Sequence, residues 1–297
     1  MELNYPLIFV GRYEMVEEIG KGSYSVVYSG IDKLTNERVA MKLECLANEK
    51  LTLAHESVIY DHLRDQDGFP EIYHAGQEHG FNVLVMELLG PTLKKIFTDR
   101  GKFSLKAVLM LGDQLLLRLE QLHKIGYIHR DIKLANLIMG RGDKCDQVYI
   151  IDIGLGKQYK YGNLHILHKK NQILVGNPAF ASRRAHLKHE ISRRDDLESL
   201  GFVFMYLLRG NLPWRGIPAD TMAQKLRQIE EIKLATTIES LCEGFPQEFV
   251  QYFHYCRGLK FTAEPDYTYL RQLLRSVGEQ MNITYDNVFE WNNPENI

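Results

Sequence analysis

Cysteine is scarce in this chain, and its placement excludes more than it supports. Cys45, Cys145, Cys242 and Cys256 lie far apart and form no C-x-x-C unit. That spacing argues against a zinc ribbon or a dithiol redox pair and predicts reduced thiols, as in the cytoplasm or nucleus. Long apolar runs are missing as well. The longest, "LGFVFMYLL" at residues 200–208, falls short of the roughly 20 residues needed to span a bilayer and reads as a buried helix. Neither charge sign dominates: 36 basic against 38 acidic residues leave a net charge of −2, so nothing global points to nucleic acid or anionic lipid. The opening "MELNYPLIFV" has no basic residue ahead of its apolar ones and is not expected to act as a secretory signal. Glu2 stands where myristoylation needs glycine, and "NPENI" is no prenylation box. Residues 153–181 contain neither Ser nor Thr.

What remains is a globular composition, 45% hydrophobic and 25% charged, on a chain long enough for one large domain or two lobes. Residues 12–31 alternate apolar and polar positions around a glycine-rich turn, as a hairpin does. "RVAMKLE" reads as another strand, residues 48–65 as a charged helix, and "NVLVMELLG" as a buried strand ending at Gly90. Helical patterns then occupy 104–124, 195–209, 219–231, 246–257 and 266–278, with "VYIIDIG" as a short buried strand among them. A strand-rich part followed by a helix-rich part predicts an α+β, two-lobed molecule joined near Glu87 to Pro91.

Five short stretches carry chemistry. In "GKGSYSVVY", Gly20 and Gly22 precede Val27; such a loop lets backbone N–H groups approach a phosphate closely, although most glycine pairs in hairpins are only turns. Lys42 in "VAMK" is an edge charge unless an acid holds it, and Glu56 in "AHESVIY" is the candidate. "HRDIKLANLI" is the strongest signal. There Asp131 and Asn136 take the H-R-D-x-x-x-x-N spacing of a kinase catalytic loop, with Lys133 two residues after the aspartate. Asp131 suits orienting an attacking hydroxyl, Asn136 offers a neutral oxygen to Mg²⁺, and Lys133 suits neutralising a moving phosphoryl group. In "IIDIGLG", Asp152 is a hard oxygen ligand before Gly154. Each stretch alone has a bland reading as a turn or a polar loop. Their order and spacing together point to Mg·ATP phosphoryl transfer, which needs positioning and charge neutralisation more than covalent help.

The wording of "VMELLGPTL", "SRRDDLESLGFVFMYLLRGNLPWRG", "CRGLKF" and "PDYTYLRQL" resembles the casein kinase 1 family of serine/threonine protein kinases over residues 10–291. The resemblance implies a bilobal kinase fold: an N-lobe at about 10–87, a hinge at 87–91, a C-lobe at 92–291 and a short end at 292–297 without a regulatory tail. It implies that Asp131 is catalytic, that Lys42 holds the α- and β-phosphates, and that Asn136 and Asp152 hold Mg²⁺. Ile19, Val27, Ala40 and Ile138 would sandwich adenine, Met86 would back the pocket, and Glu87 to Leu89 would offer backbone groups to the adenine edge. Asp196 would brace the catalytic loop, a role compatible with its plainer reading as an N-terminal helix cap.

The chain departs from the family at Ser25 (a third glycine), at Leu134 and Ala135 (Pro-Asp), at Ile153 (Phe), and at "NPAFAS", where Ala179 replaces an arginine that helps bind an acidic or phosphorylated substrate residue. Gly216 and Lys225 of that anion pocket are retained, and Lys169, Lys170, Arg183 and Arg184 are the nearby basic residues that stand as candidates to compensate, with ordinary solvated charge as the alternative. Because only Tyr159 and Tyr161 in residues 153–181 carry a phosphorylatable hydroxyl, the enzyme is expected to work without Ser/Thr phosphorylation there. It is expected to act as a monomer on protein substrates, with no nucleic acid partner. The alternatives are a kinase-like nucleotide-binding scaffold with weak transfer and a small-molecule phosphotransferase.

Overall fold

The computed structural model describes residues 7–22, 24–49 and 51–292. The readings made on the first six residues and on 293–297 lie outside the described residues.

The N-terminal part is one antiparallel sheet with a helix against it. Its strands are β1 (Ile8–Phe9), β2 (Tyr13–Lys21), β3 (Val26–Asp32), β4 (Arg38–Cys45), β5 (Ile72–Glu78) and β6 (Phe81–Glu87), in the order β1-β2-β3-β4-β6-β5. The period-2 alternation of β4 sorts its side chains between two environments. Val39, Met41 and Leu43 join Phe9, Tyr13, Val83 and Val85 in an outer apolar cluster. Ala40 lies on the other face, in the core that continues into the helical part, together with Leu84, Met86 and Val27. Lys42 and Glu44 share that inner face, so β4 directs two charged residues toward α1 and the cleft.

Helix α1 (Leu53–His62) is shorter than the charged stretch 48–65 predicts. A contact from the preceding strand sets its start: the buried Glu44 carboxylate accepts the N–H groups of Thr52 at 2.7 Å and Leu53 at 3.1 Å. Those are N–H groups that a helix N-terminus leaves without partners. Strand β6 also ends early, at Glu87 rather than Gly90. From Leu88 the chain leaves the sheet, and the Gly90 N–H donates to Met139 O of the other lobe at 2.8 Å. Gly140 O lies 2.6 Å from where a Gly90 Cβ would sit, so only glycine permits this crossing.

The C-terminal part contains α2 (Leu93–Arg100), α3 (Leu105–Lys124), α4 (Arg183–His186), α5 (Arg193–Arg209), α6 (Met222–Ala235), α7 (Ile238–Leu241), α8 (Gln247–Gly258) and α9 (Tyr267–Gln280). Between α3 and α4 run the short strands β7 (Tyr127–Ile128), β8 (Leu137–Met139), β9 (Val148–Ile150), β10 (Lys157–Gln158), β11 (Lys160–Tyr161) and β12 (Leu164–His165). Helix α5 contains "LGFVFMYLL" and is the central post: Leu200, Phe202, Val203, Phe204, Met205 and Leu207 are fully or almost fully buried. Each such side chain stabilises the lobe by about 1.5–3 kcal/mol. The helix stops at Gly210, whose left-handed φ of 85° suits a residue without Cβ. All four cysteines are free thiols. Among the described residues no helix is long and apolar enough to cross a membrane.

Candidate active site

The catalytic-loop stretch follows β7 and hangs from α5. Arg130 adopts a left-handed φ of 68°, a conformation that costs a non-glycine residue about 1–3 kcal/mol and persists only when its surroundings enforce it. Asp196 supplies the enforcement, because its buried carboxylate accepts the backbone N–H groups of His129 at 2.7 Å and Arg130 at 2.9 Å. The buried His123 donates from Nε2 to the same carboxylate at 2.9 Å and accepts at Nδ1 from the Tyr267 hydroxyl. Burial pushes the Asp196 carboxyl up, but His123 and the loop N–H groups outweigh it and hold the group below its ordinary range. The bracing role is therefore the one built, and the helix-cap reading of Asp196 is corrected: the carboxylate returning to the Ser192 N–H at the start of α5 is that of Asp195, at 2.8 Å.

Asp131 is held from three sides. Its Oδ2 accepts from Lys133 Nζ at 2.5 Å and from Asn136 Nδ2 at 3.2 Å, and its Oδ1 accepts the Asn177 N–H at 2.7 Å. With the Asn136 amide nitrogen also donating to Asp131 O at 3.0 Å, its amide oxygen is the atom left for a cation. Leu134 and Ala135, in place of Pro-Asp, enter a short 3-10 turn ending at Asn136, so the departure leaves that side chain beneath Asp131.

Across the cleft, Lys42 Nζ lies 2.7 Å from Glu56 Oε2 and 2.7 Å from Asp152 Oδ1. Burial pulls the ammonium down, yet the two carboxylates more than reverse that and hold it above the ordinary lysine value. For Asp152 burial acts upward, and Lys42 brings it below the usual carboxylate range. Asp152 lies two residues beyond the end of β9, not at a strand end as "VYIIDIG" suggests, and is left-handed with φ 62°. Its N–H donates to the Tyr60 hydroxyl at 3.2 Å. Glu56 is 1% exposed, so it holds Lys42 from behind.

A cleft of about 650 Å³ is lined by Gly22, Ser25, Lys42, Asp131, Lys133 and Asp152, among others. Five expected phosphate-, metal- or proton-handling residues therefore open on one space. Gly22 closes the β2–β3 turn by donating to Ser25 O at 2.8 Å. The other expected residues lie further along the same elements. Ile19 and Gly20 are on β2, and Val27 on β3 stands opposite both Gly20 and Lys42. Ala40 and Met86 are cross-strand partners on β4 and β6, Leu89 follows β6, and Ile138 on β8 bridges to Thr92. The Glu87 carboxylate turns away to Lys144 at 3.0 Å and lines a larger cavity of about 810 Å³ behind α1, which leaves only its backbone for the cleft.

A second cavity, of about 340 Å³, opens beside the first and shares Asn177 and Arg215 with it. Ala179, Gly216 and Lys225 line it, and none of its lining residues is acidic. Lys169, Lys170, Arg183 and Arg184 do not line it; Arg184 donates to Arg257 O at 2.6 Å. Arg215, which motif reading passes over, lines both spaces, with its guanidinium 4.3 Å from the Tyr206 ring centre on the cleft side.

A six-stranded sheet over a helical lobe, with opposed lysines and carboxylates in the cleft between them, defines the bilobal kinase class of phosphotransferase. The protein kinase domain model matches residues 13–258, and the chain belongs to that family. Membership implies ATP, a divalent cation and protein substrates. The residues present fit the cation. Among the described residues no three His, Cys, Asp or Glu side chains form a metal cage; Asp152 and the Asn136 amide oxygen are two hard donors, suited to an ion that takes its other ligands from phosphates and water.

Proposed function

We propose that this protein is a serine/threonine protein kinase of the casein kinase 1 type, using Mg²⁺ with ATP and acting as a monomer in the cytoplasm or nucleus. Its kinase unit spans about 10–291, hinged at 87–91. The observation that carries this reading is the convergence of Asp131, Lys133, Lys42 and Asp152 on one cleft. Bound Mg·ATP supplies the phosphoryl group and most of the charge neutralisation. Asp131 orients the acceptor hydroxyl and takes up its proton, held for that task by Asn177 and Asn136. Lys133, beside Asp131, neutralises charge that develops on the transferred group; this lysine favours Ser/Thr over Tyr acceptors. Lys42, fixed between Glu56 and Asp152, meets the α- and β-phosphates. Ile19, Val27, Ala40, Met86 and Ile138 enclose the adenine, whose edge meets the backbone of Glu87 to Leu89.

Preference for an acidic or phosphorylated residue near the acceptor is part of the proposal. It rests on Lys225 and Arg215, two cations in a cavity without an acidic lining residue, with Arg215 standing in for the side chain missing at Ala179. Transfer from radiolabelled ATP to casein, with Asp131→Asn as control, is the test. Equal labelling by wild type and variant would refute the assignment. Nucleotide binding without transfer by the wild type would favour a scaffold.

A further inference from the structure

Lys233 is 1% exposed, carries no carboxylate partner, and belongs to none of the motifs above. Its Nζ donates to three backbone carbonyls, Pro178 O at 2.8 Å, Ala179 O at 3.0 Å and Ala181 O at 2.7 Å. The Phe202 and Trp214 rings flank it, with centres 4.9 and 5.0 Å away. Burial pulls the Lys233 pKa well below the ordinary lysine value, and the acceptor geometry opposes that: three carbonyls match the three hydrogens of an ammonium, whereas a neutral amine has only two to give. His186 Nε2 lies 3.2 Å from the same nitrogen and 2.9 Å from Pro178 O. A neutral His186 donating to Pro178 O is compatible with the charged lysine.

The clamped turn leads directly to the reacting groups. Ala179 N–H donates to Asn177 Oδ1 at 3.0 Å, and Asn177 N–H donates to Asp131 Oδ1 at 2.7 Å. Trp214 Nε1 adds a second donor to Ala179 O at 2.7 Å. Many kinases order this region by attaching a phosphate that pairs with arginine. Here residues 153–181 offer no Ser or Thr for that purpose, and the buried Lys233 nitrogen already spans the turn.

We propose that Lys233 is a positioning residue. From α6 it fixes the backbone of residues 177–181 so that Asn177 holds Asp131 in its working orientation, a permanent substitute for an activating phosphate. The inference deepens the kinase reading and rests on it for its kinetic consequence, but not for its structural one.

The experiment compares wild type with Lys233→Met, and with Trp214→Phe, which removes the second donor to Ala179 and part of the ring that flanks Lys233. Four quantities are measured: kcat and KM for a protein acceptor, affinity for Mg·ATP, and hydrogen exchange of the amides at 177 and 179–182. The expected result for Lys233→Met is a fall in acceptor kcat of about a hundredfold, the scale of a small misplacement of reacting groups. Nucleotide affinity should stay within about twofold, and faster exchange should be confined to that turn. Trp214→Phe should shift the same readouts in the same direction, less far, and decides the matter if Lys233→Met does not fold. Unchanged exchange at 177 and 179–182, or weakened nucleotide binding with exchange raised in both lobes, overturns the proposal. If the wild type phosphorylates no acceptor, the kinase reading fails, while the exchange data still decide whether Lys233 fixes the turn.

Discussion

Asp196 and His129 lie 67 residues apart, yet the carboxylate of the first accepts the backbone N–H of the second at 2.7 Å inside the helical lobe. Helix α5 thereby carries the catalytic loop. Replacing Asp196 with Asn removes the charge that accepts two loop N–H groups and one from His123. Hydrogen bonds to charged groups contribute about 1.5–3 kcal/mol each, so urea denaturation should show a loss of at least that size. Turnover should drop by more than tenfold as Arg130 relaxes from its left-handed conformation. A variant with wild-type stability and rate would show that the brace is dispensable.

Lys42→Arg and Asp131→Asn should each abolish most phosphoryl transfer while leaving the fold intact. Arginine presents a planar fork where Glu56 and Asp152 converge on one nitrogen, and asparagine lacks the basic oxygen needed for the acceptor proton. Steady-state kinetics beside circular dichroism checks both. Wild-type transfer by either variant contradicts the site.

Protein produced in bacteria and treated with phosphatase should retain its activity, because no Ser or Thr at residues 153–181 is available to be modified. Loss of most turnover after the treatment, restored by incubation with ATP, would show that another phosphorylated residue is required.

Arg215→Ala and Lys225→Ala should each raise KM for an acidic or phosphorylated peptide about tenfold, the worth of one charge-assisted contact of about 1.4 kcal/mol. A matching neutral peptide should respond far less. Equal effects on the two peptides would remove the cavity from substrate selection.

Stability should fall in acid through His186. Burial, and then the charge of Lys233, lowers its pKa from 6.5 to about 4. The folded protein resists protonation that the unfolded chain accepts. This contribution is therefore fully present above about pH 6.5 and is lost as pH falls from there toward 4. Its size is about 3 kcal/mol, at 1.36 kcal/mol per pKa unit. Denaturation midpoints across that range should show the slope, and His186→Gln should flatten it. An identical slope in the variant would assign it to another group.

Much of this protein is legible in local sequence. The two-lobed order, the long helices and the stretches bearing Lys42, Asp131, Asn136 and Asp152 can be read because motif spacing reports backbone geometry within a few residues. Element limits were less legible where a side chain or backbone group of another element sets them, as Glu44 does for α1 and the Gly90–Met139 contact does for β6. The basic residues Lys169, Lys170, Arg183 and Arg184 do not line the cavity beside Ala179, whereas Arg215, 36 residues further on, does.

The sequence by itself determined which charged groups exist and in what order they enter the chain. Only the tertiary structure decided what holds them: Asp196 and His123 under the loop, Glu56 behind Lys42, and Lys233 beneath a turn 55 residues earlier. The reason is physical. A side chain's hydrogen-bond partners depend on which helix faces pack together, and that packing is settled by burial of the whole core rather than by spacing along the chain.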